Sequence, residues 1–199
     1  DKIVKKKIRR IYKLKNKHEF NHYIETGKFF IKTHCDAFYK NFKNISIIKL
    51  SRNPLLNAKS YLNRNKNFYL DNVRSDSKQN CLQIDPAILN KYQLYLWNWF
   101  ETELRYYRFI EKYSIGKRYE IKTEELSDIK KIKGLFDFFN IEYDQIIFPE
   151  PINTNAEQGI KETKISRNEL DDYLKFLDII PNKIIDKIKY LEKFDPISF

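Results

Sequence analysis

Residues 45–50 form an aliphatic run, Ile45-Ser46-Ile47-Ile48-Lys49-Leu50, that breaks off at Ser51-Arg52-Asn53-Pro54 and resumes as Leu55-Leu56-Asn57-Ala58-Lys59-Ser60. A β-branched run of this length, bounded by a polar turn, predicts a buried strand. Proline fits the first turn of a helix, where its missing N–H costs nothing, so Pro54 predicts a helix running to about residue 64. A strand passing straight into a helix is the unit from which parallel sheets with helical crossovers are built. The rest of the chain agrees with that architecture. Phe29-Phe30-Ile31-Lys32-Thr33-His34 and residues 118–122 predict two further strands. Residues 86–113, 128–139 and 182–194 carry helical spacing, and Ser166 with Glu169 forms a capping box that starts another helix. Val4, Ile8, Ile11 and Tyr12 place an amphipathic helix over residues 3–26, with Gly27 as its stop. The polar stretches 65–85 and 153–163 predict loops, the first of them mobile. The expected fold is therefore α/β: one domain over residues 29–199, with a short parallel sheet flanked by helices, preceded by a basic helical segment over residues 1–28.

Composition excludes several classes. The 199 residues include two cysteines, Cys35 and Cys81, which form no Cys-x-x-Cys pair, so neither a disulfide scaffold nor a zinc ribbon is expected. No stretch approaches the ~18 consecutive apolar residues of a membrane span, and no signal sequence is visible, which favours a cytoplasmic chain. With 42% hydrophobic and 16% aromatic residues the chain has the material for a core and is not a disordered polymer. The net charge is +11, but residues 1–17 alone carry nine Lys/Arg against one Asp. Basicity thus belongs to one segment and not to the whole surface. That segment suits a nucleic acid, an acidic membrane or an anionic glycan, or it is simply a solvated face in a lysine-biased chain. No nucleic-acid-binding module accompanies it, so nucleic acid is not the expected partner.

The chemistry concentrates where the strand ends. Ligands bind outside the carboxyl ends of strands in open α/β sheets, and the run over residues 45–50 delivers Arg52 there. The helix that Pro54 starts would add unpaired N–H groups and its positive dipole end. Arg52 brings a planar fork matched to phosphate oxygens, and Ser60 a hydroxyl about two turns into the helix. These residue types predict an anion site, with phosphate as the anion.

The strand-Arg-Asn-Pro-helix segment with Ser60 eight residues after Arg52 resembles the 3′-phosphate-binding motif of sulfotransferases that use 3′-phosphoadenosine-5′-phosphosulfate (PAPS). Upstream, Ile31-Lys32-Thr33-His34 is similar to that family's Lys-Thr-His strand. Downstream, Ile121-Lys122-Thr123-Glu124-Glu125-Leu126 resembles its strand ending in Tyr-Glu-Asp-Leu, with Trp97 and Trp99 in the long helix between. The landmarks run in family order over residues 29–194. The resemblance implies a P-loop NTPase-like three-layer domain, PAPS as co-substrate, no metal, and a hydroxyl-bearing acceptor such as an acidic glycan, a peptide or a small alcohol. It implies that Arg52 and Ser60 hold the 3′-phosphate, that His34 is the general base and that Lys32 lies near the transferring sulfuryl group. The family's loop for the 5′-phosphosulfate has no counterpart in residues 1–28; either that loop lies upstream, which a start without Met favours, or the chain is a degenerate, inactive relative. Leu56 stands where many relatives have Asp, and Thr123 where Tyr is usual. In place of the family's C-terminal glycine-rich loop, Gly159 with Lys161 and Lys164 is the candidate, which makes Lys161 a nucleotide contact.

Other readings compete. His18-Glu19-Phe20-Asn21-His22 matches the HExxH pattern of zinc proteases, but it follows a lysine-rich run and reads as two solvent-facing histidines. Trp97, Trp99, Tyr106 and Tyr107 read as core, and Cys35 as a small buried residue. For the function, the alternatives are a nucleotide or nucleoside kinase on a related fold, and a non-catalytic module that binds nucleic acid or an anionic polymer through residues 2–17.

Overall fold

The computed structural model describes residues 2–18, 22–25, 27, 30–42, 44–66, 74–148 and 164–188. It is a mixed α/β protein with a small parallel sheet. The chain divides into two compact units, Asp1–Leu50 with Arg108–Ile147, and Ser51–Tyr107 with Phe148–Phe199. Among the described residues no helix is long and apolar enough to cross a membrane.

In the first unit, helix α1 (Lys2–Lys17) buries Val4, Ile8 and Ile11 along one face. It ends well before residue 26 because apolar spacing lapses after Leu14; Lys15-Asn16-Lys17 offers no side chain to bury, and His18 N–H closes the last turn on Leu14 O. Helix α2 (Cys35–Asn41) packs against α1. Tyr12 sets its ring 5.1 Å from that of Phe42 and donates its hydroxyl to Asn41 O. Lys7 lies over the Phe38 ring and pairs with Glu25.

The expected strand ending at His34 is not a strand. Phe30–His34 forms a π-helical turn that leads into α2. The reason is a longer pattern than the aromatic run itself: Phe30, His34, Phe38 and Phe42 recur every four residues, a helical stripe. Phe38 meets Phe30 at 5.8 Å, His34 at 6.5 Å and Phe42 at 5.9 Å. Phe30 also packs edge-on against Phe109.

Strands β1 (Ile47–Ser51) and β2 (Arg118–Lys122) pair, with Ile47 N–H donating to Lys117 O at the start of the ladder. Burial along β1 alternates, which corrects the expectation of a strand covered on both faces. Ile47, Lys49 and Ser51 point inward, while Ile48 and Leu50 are 41% and 53% exposed. A period-two strand in a two-stranded sheet sends every other side chain to the uncovered face, aliphatic or not. Helix α5 (Ile129–Phe139) packs on β2, with Tyr119 against Phe138 and Phe139. Asp128 caps its start and Asn140, at φ 53°, supplies the left-handed stop.

The second unit is built round the Lys91–Tyr107 part of helix α4 (Lys91–Tyr113), which follows a short 3₁₀ turn opened by Pro86. Its Tyr95, Leu96, Trp97 and Phe100 are fully buried against helix α3 (Pro54–Asn63), helix α6 (Arg167–Ile179) and the residues beyond, with Phe176, Ile180 and Ile188 in the same cluster. Ser166 and Glu169 form the expected capping box at the start of α6. A last helix, α7, spans Asn182–Lys187.

Residues 74–85, expected to be mobile, are instead fixed to α4. Glu101, fully buried, accepts hydrogen bonds from Cys81 N–H at 3.0 Å and Leu82 N–H at 2.8 Å, and pairs with Arg105 at 2.6 Å. Arg105 reaches on to Asn80 Oδ1, whose amide donates to Arg74 O and Ser75 O. Trp97 Nε1 donates to Leu82 O. A polar segment is thus ordered because its backbone groups find buried partners.

Two outcomes follow from these contacts. Glu101→Gln leaves the Arg105 guanidinium buried without its counter-charge, and is expected to lower stability by about 3 kcal/mol, a fall of roughly 6–12 °C in thermal melting for a chain of this size. Asp36 accepts from Lys112 Nζ and the Tyr113 hydroxyl. Burial pushes its carboxyl up, but those two bonds outweigh it and hold the group below the ordinary aspartate range. A depressed carboxylate stabilises the fold above its unfolded pKa, and the contribution is lost as pH falls through the folded value. Acid titration of melting temperature is therefore expected to show a smaller loss below about pH 4 in Asp36→Asn than in the parent.

Candidate anion site at the end of the first strand

The turn from β1 into α3 is held by α4. Trp99 Nε1 donates to Arg52 O at 3.0 Å, and the Tyr92 hydroxyl donates to Leu55 O at 3.1 Å. Burial, with Glu169 and Asp172 nearby, pushes the Tyr92 hydroxyl well up, so it stays a neutral donor. Farther along α3, Lys59 and Glu169 form a buried ion pair, with Nζ 2.8 Å and 3.0 Å from the two carboxylate oxygens. The pair fixes α3 to α6 one residue before Ser60.

The start of α3 differs from expectation. Asn53 Oδ1 accepts from Leu55 N–H at 2.9 Å and Leu56 N–H at 3.3 Å, and Asn53 O accepts from Asn57 N–H. Pro54 has no N–H to give. The first-turn donors are consumed by the helix's own cap, so the backbone does not offer an anion the free N–H groups that the Pro54 start suggested.

What the turn presents is side chains. Arg52 is half-buried directly after the strand. Ser51 is 4% exposed and its Oγ has no hydrogen-bond partner. Ser60, the seventh residue of α3, is also buried. Arg52 and Ser60 both belong to the second unit, Arg52 directly after β1 and Ser60 within α3. A concavity of about 440 Å³ in that unit lies elsewhere: Leu82, Ile84, Asp85, Ile88, Ile179 and Ile184 line it, and neither Arg52 nor Ser60 is in its wall.

Lys32 and His34 belong to the first unit. On a strand, residues two apart share a face; on the helical turn they occupy they diverge, so the structure does not set them side by side. His34 stacks on Phe38. The adjacent Cys35 thiol donates to Ile31 O, and burial pushes it up, which keeps it protonated and unreactive. Lys161 and Gly159 lie outside the described residues, as does Glu19 of the HExxH match. Among the described residues no cluster of three or more His, Cys, Asp or Glu is disposed to hold a metal. The strand of the Lys-Thr-Glu-Glu landmark is β2, and a 3₁₀ turn at Thr123–Glu125 follows it.

Compared with known proteins, the chain matches no family model, no curated protein and no solved structure.

Three features of the turn escaped the sequence. An asparagine before Pro54 is itself the signal for the Asn53 cap. The anchoring of Arg52 by Trp99 and the pairing of Lys59 with Glu169, 110 residues away, leave no local trace. Replacing Asn53 with alanine exposes the cap's contribution: Asn53→Ala is expected to cost about 1 kcal/mol in denaturant unfolding, and Asn53→Asp little.

Proposed function

We propose that this chain is a sulfotransferase that moves a sulfuryl group from PAPS to a hydroxyl, and that Arg52 and Ser60 hold the 3′-phosphate of the donor. The observation that carries the reading is the buried Ser51 hydroxyl without a partner, next to Arg52 where β1 ends. Buried hydroxyls are nearly always bonded, and an orphan hydroxyl one residue before an arginine suits an anion that brings acceptor oxygens. The order of landmarks in the sequence supports the choice of a 3′-phosphorylated nucleotide as that anion. With the first-turn N–H groups of α3 already bonded, binding falls to side chains: the Arg52 fork, Ser60 and Ser51.

The proposed reaction is an in-line displacement. The acceptor oxygen attacks sulfur as the bond from sulfur to the 5′-phosphate oxygen breaks. The acceptor proton passes to a base, and adenosine 3′,5′-bisphosphate leaves with the bridging electron pair. His34 as that base, and Lys32 as a cation near the sulfuryl group, rest on the family resemblance; an imidazole titrating near neutrality suits the first task and a fixed ammonium the second.

Titration calorimetry tests the donor site. Adenosine 3′,5′-bisphosphate is expected to bind this chain and ADP to bind much more weakly, with Arg52→Ala costing about 10- to 100-fold in affinity. Ser51→Ala is expected to weaken the nucleotide while leaving melting temperature equal or higher, since it removes an unsatisfied buried group. Equal affinity for ADP, or unchanged affinity in Arg52→Ala, overturns the reading.

A further inference from the structure

We infer that Trp99 is a positioning residue for the donor site proposed above, on which this inference rests. By holding the carbonyl of Arg52 it sets where the guanidinium meets the ligand, and with that the preference for a nucleotide phosphorylated at its 3′ position. Arg52 lies between the last residue of β1 and the Asn53 cap of α3, in neither element, so no regular structure dictates its backbone angles. Among the described residues its guanidinium enters no ion pair and no hydrogen bond. An arginine side chain without a partner samples many rotamers, so the region it reaches is set by where the backbone starts it. Because a peptide unit is planar, holding its oxygen orients the whole unit. The bond from Trp99 Nε1 to Arg52 O, at 3.0 Å, does this for the unit that leaves Arg52.

Trp99 is suited to the task. It is 6% exposed, and its ring lies edge-on at 5.2 Å from that of Phe100, which is fully buried and meets Phe176 at 5.4 Å. An indole has few rotatable bonds, and its N–H can only donate. A stiff donor rooted in the core thus carries the position of the core to Arg52. Phenylalanine would fill much of the same space and leave Arg52 O unheld. Trp97, on the same helix, makes the same kind of bond to Leu82 O, on a different segment of the chain. The two tryptophans share chemistry, helix and burial, and differ in whether the carbonyl they hold belongs to Arg52.

The test is titration calorimetry of the whole chain with adenosine 3′,5′-bisphosphate and with adenosine 5′-monophosphate. These differ by the 3′-phosphate alone, so the ratio of their affinities reports on that group. Arg52→Ala, Trp99→Phe and the double variant are compared with the parent. A further variant carries at residue 99 the benzothiophene analogue of tryptophan, in which sulfur replaces the N–H; it keeps ring and packing should Trp99→Phe fail to fold. The same analogue at residue 97 is the control. The parent and Arg52→Ala judge the donor site by themselves: equal affinity for the two nucleotides, or an unchanged ratio in Arg52→Ala, overturns that reading and this inference with it. With the donor site upheld, losing the Trp99 N–H is expected to lower the ratio about tenfold in the parent and less than about twofold in Arg52→Ala, as for coupled residues. The control at residue 97 is expected to stay within about twofold of the parent ratio. An unchanged ratio, an equal loss for both nucleotides, the same loss with and without Arg52, or the same fall in the control would make Trp99 merely structural and overturn the inference.

Discussion

A carboxylate with no access to water organises the second unit. Glu101 sits in the middle of α4 and takes two backbone N–H groups from Cys81 and Leu82 while neutralising Arg105. Burying that charge is costly unless every lone pair is used, and the segment over residues 74–85 is what uses them. The dependence is mutual. The segment carries too little apolar surface to order itself, and α4 needs its donors. Trp97 and Trp99 extend the arrangement in two directions, one bonding Leu82 O and the other Arg52 O. The turn that presents Arg52 is therefore supported by the same helix that holds the 74–85 segment.

The elements that were legible are those with local causes. Pro54 at the start of α3, the Ser166 and Glu169 box, and β2 at residues 118–122 all lie where short-range chemistry puts them. The failures share a different cause. Residues 30–34 look extended when read six at a time, but the four-residue aromatic stripe that decides their conformation spans thirteen. The 74–85 segment is polar in sequence and fixed in structure because its partners lie about twenty residues further on, in α4. Position alone did not reveal which donors at the strand end were free: Asn53 takes the backbone ones, and burial leaves Ser51 the unpartnered one.

At the strand-end turn one side chain, Asn53, decides whether the helix backbone has N–H groups to offer a ligand. A helix whose first N–H groups are free binds anions through its backbone, largely without regard to the ligand's identity. Capping by Asn53 removes that general attraction, so under the function proposed above discrimination would rest with a guanidinium and hydroxyls. On that proposal selectivity among phosphorylated ligands would depend on where Arg52 is held, and Trp99 donates to its backbone carbonyl.

The sheet carries a liability of its own. Strand β2 presents Arg118 and Lys122 at its two ends, charges that discourage another strand from adding to it. Strand β1 has the opposite arrangement: its one lysine is turned inward, and the aliphatic Ile48 and Leu50 face out. No further strand pairs with β1 among the described residues. At high concentration, or when warmed, this is the place where one molecule can template the next by strand addition. A single outward charge in place of Leu50 would act as a gatekeeper, improving solubility without touching the strand-end turn.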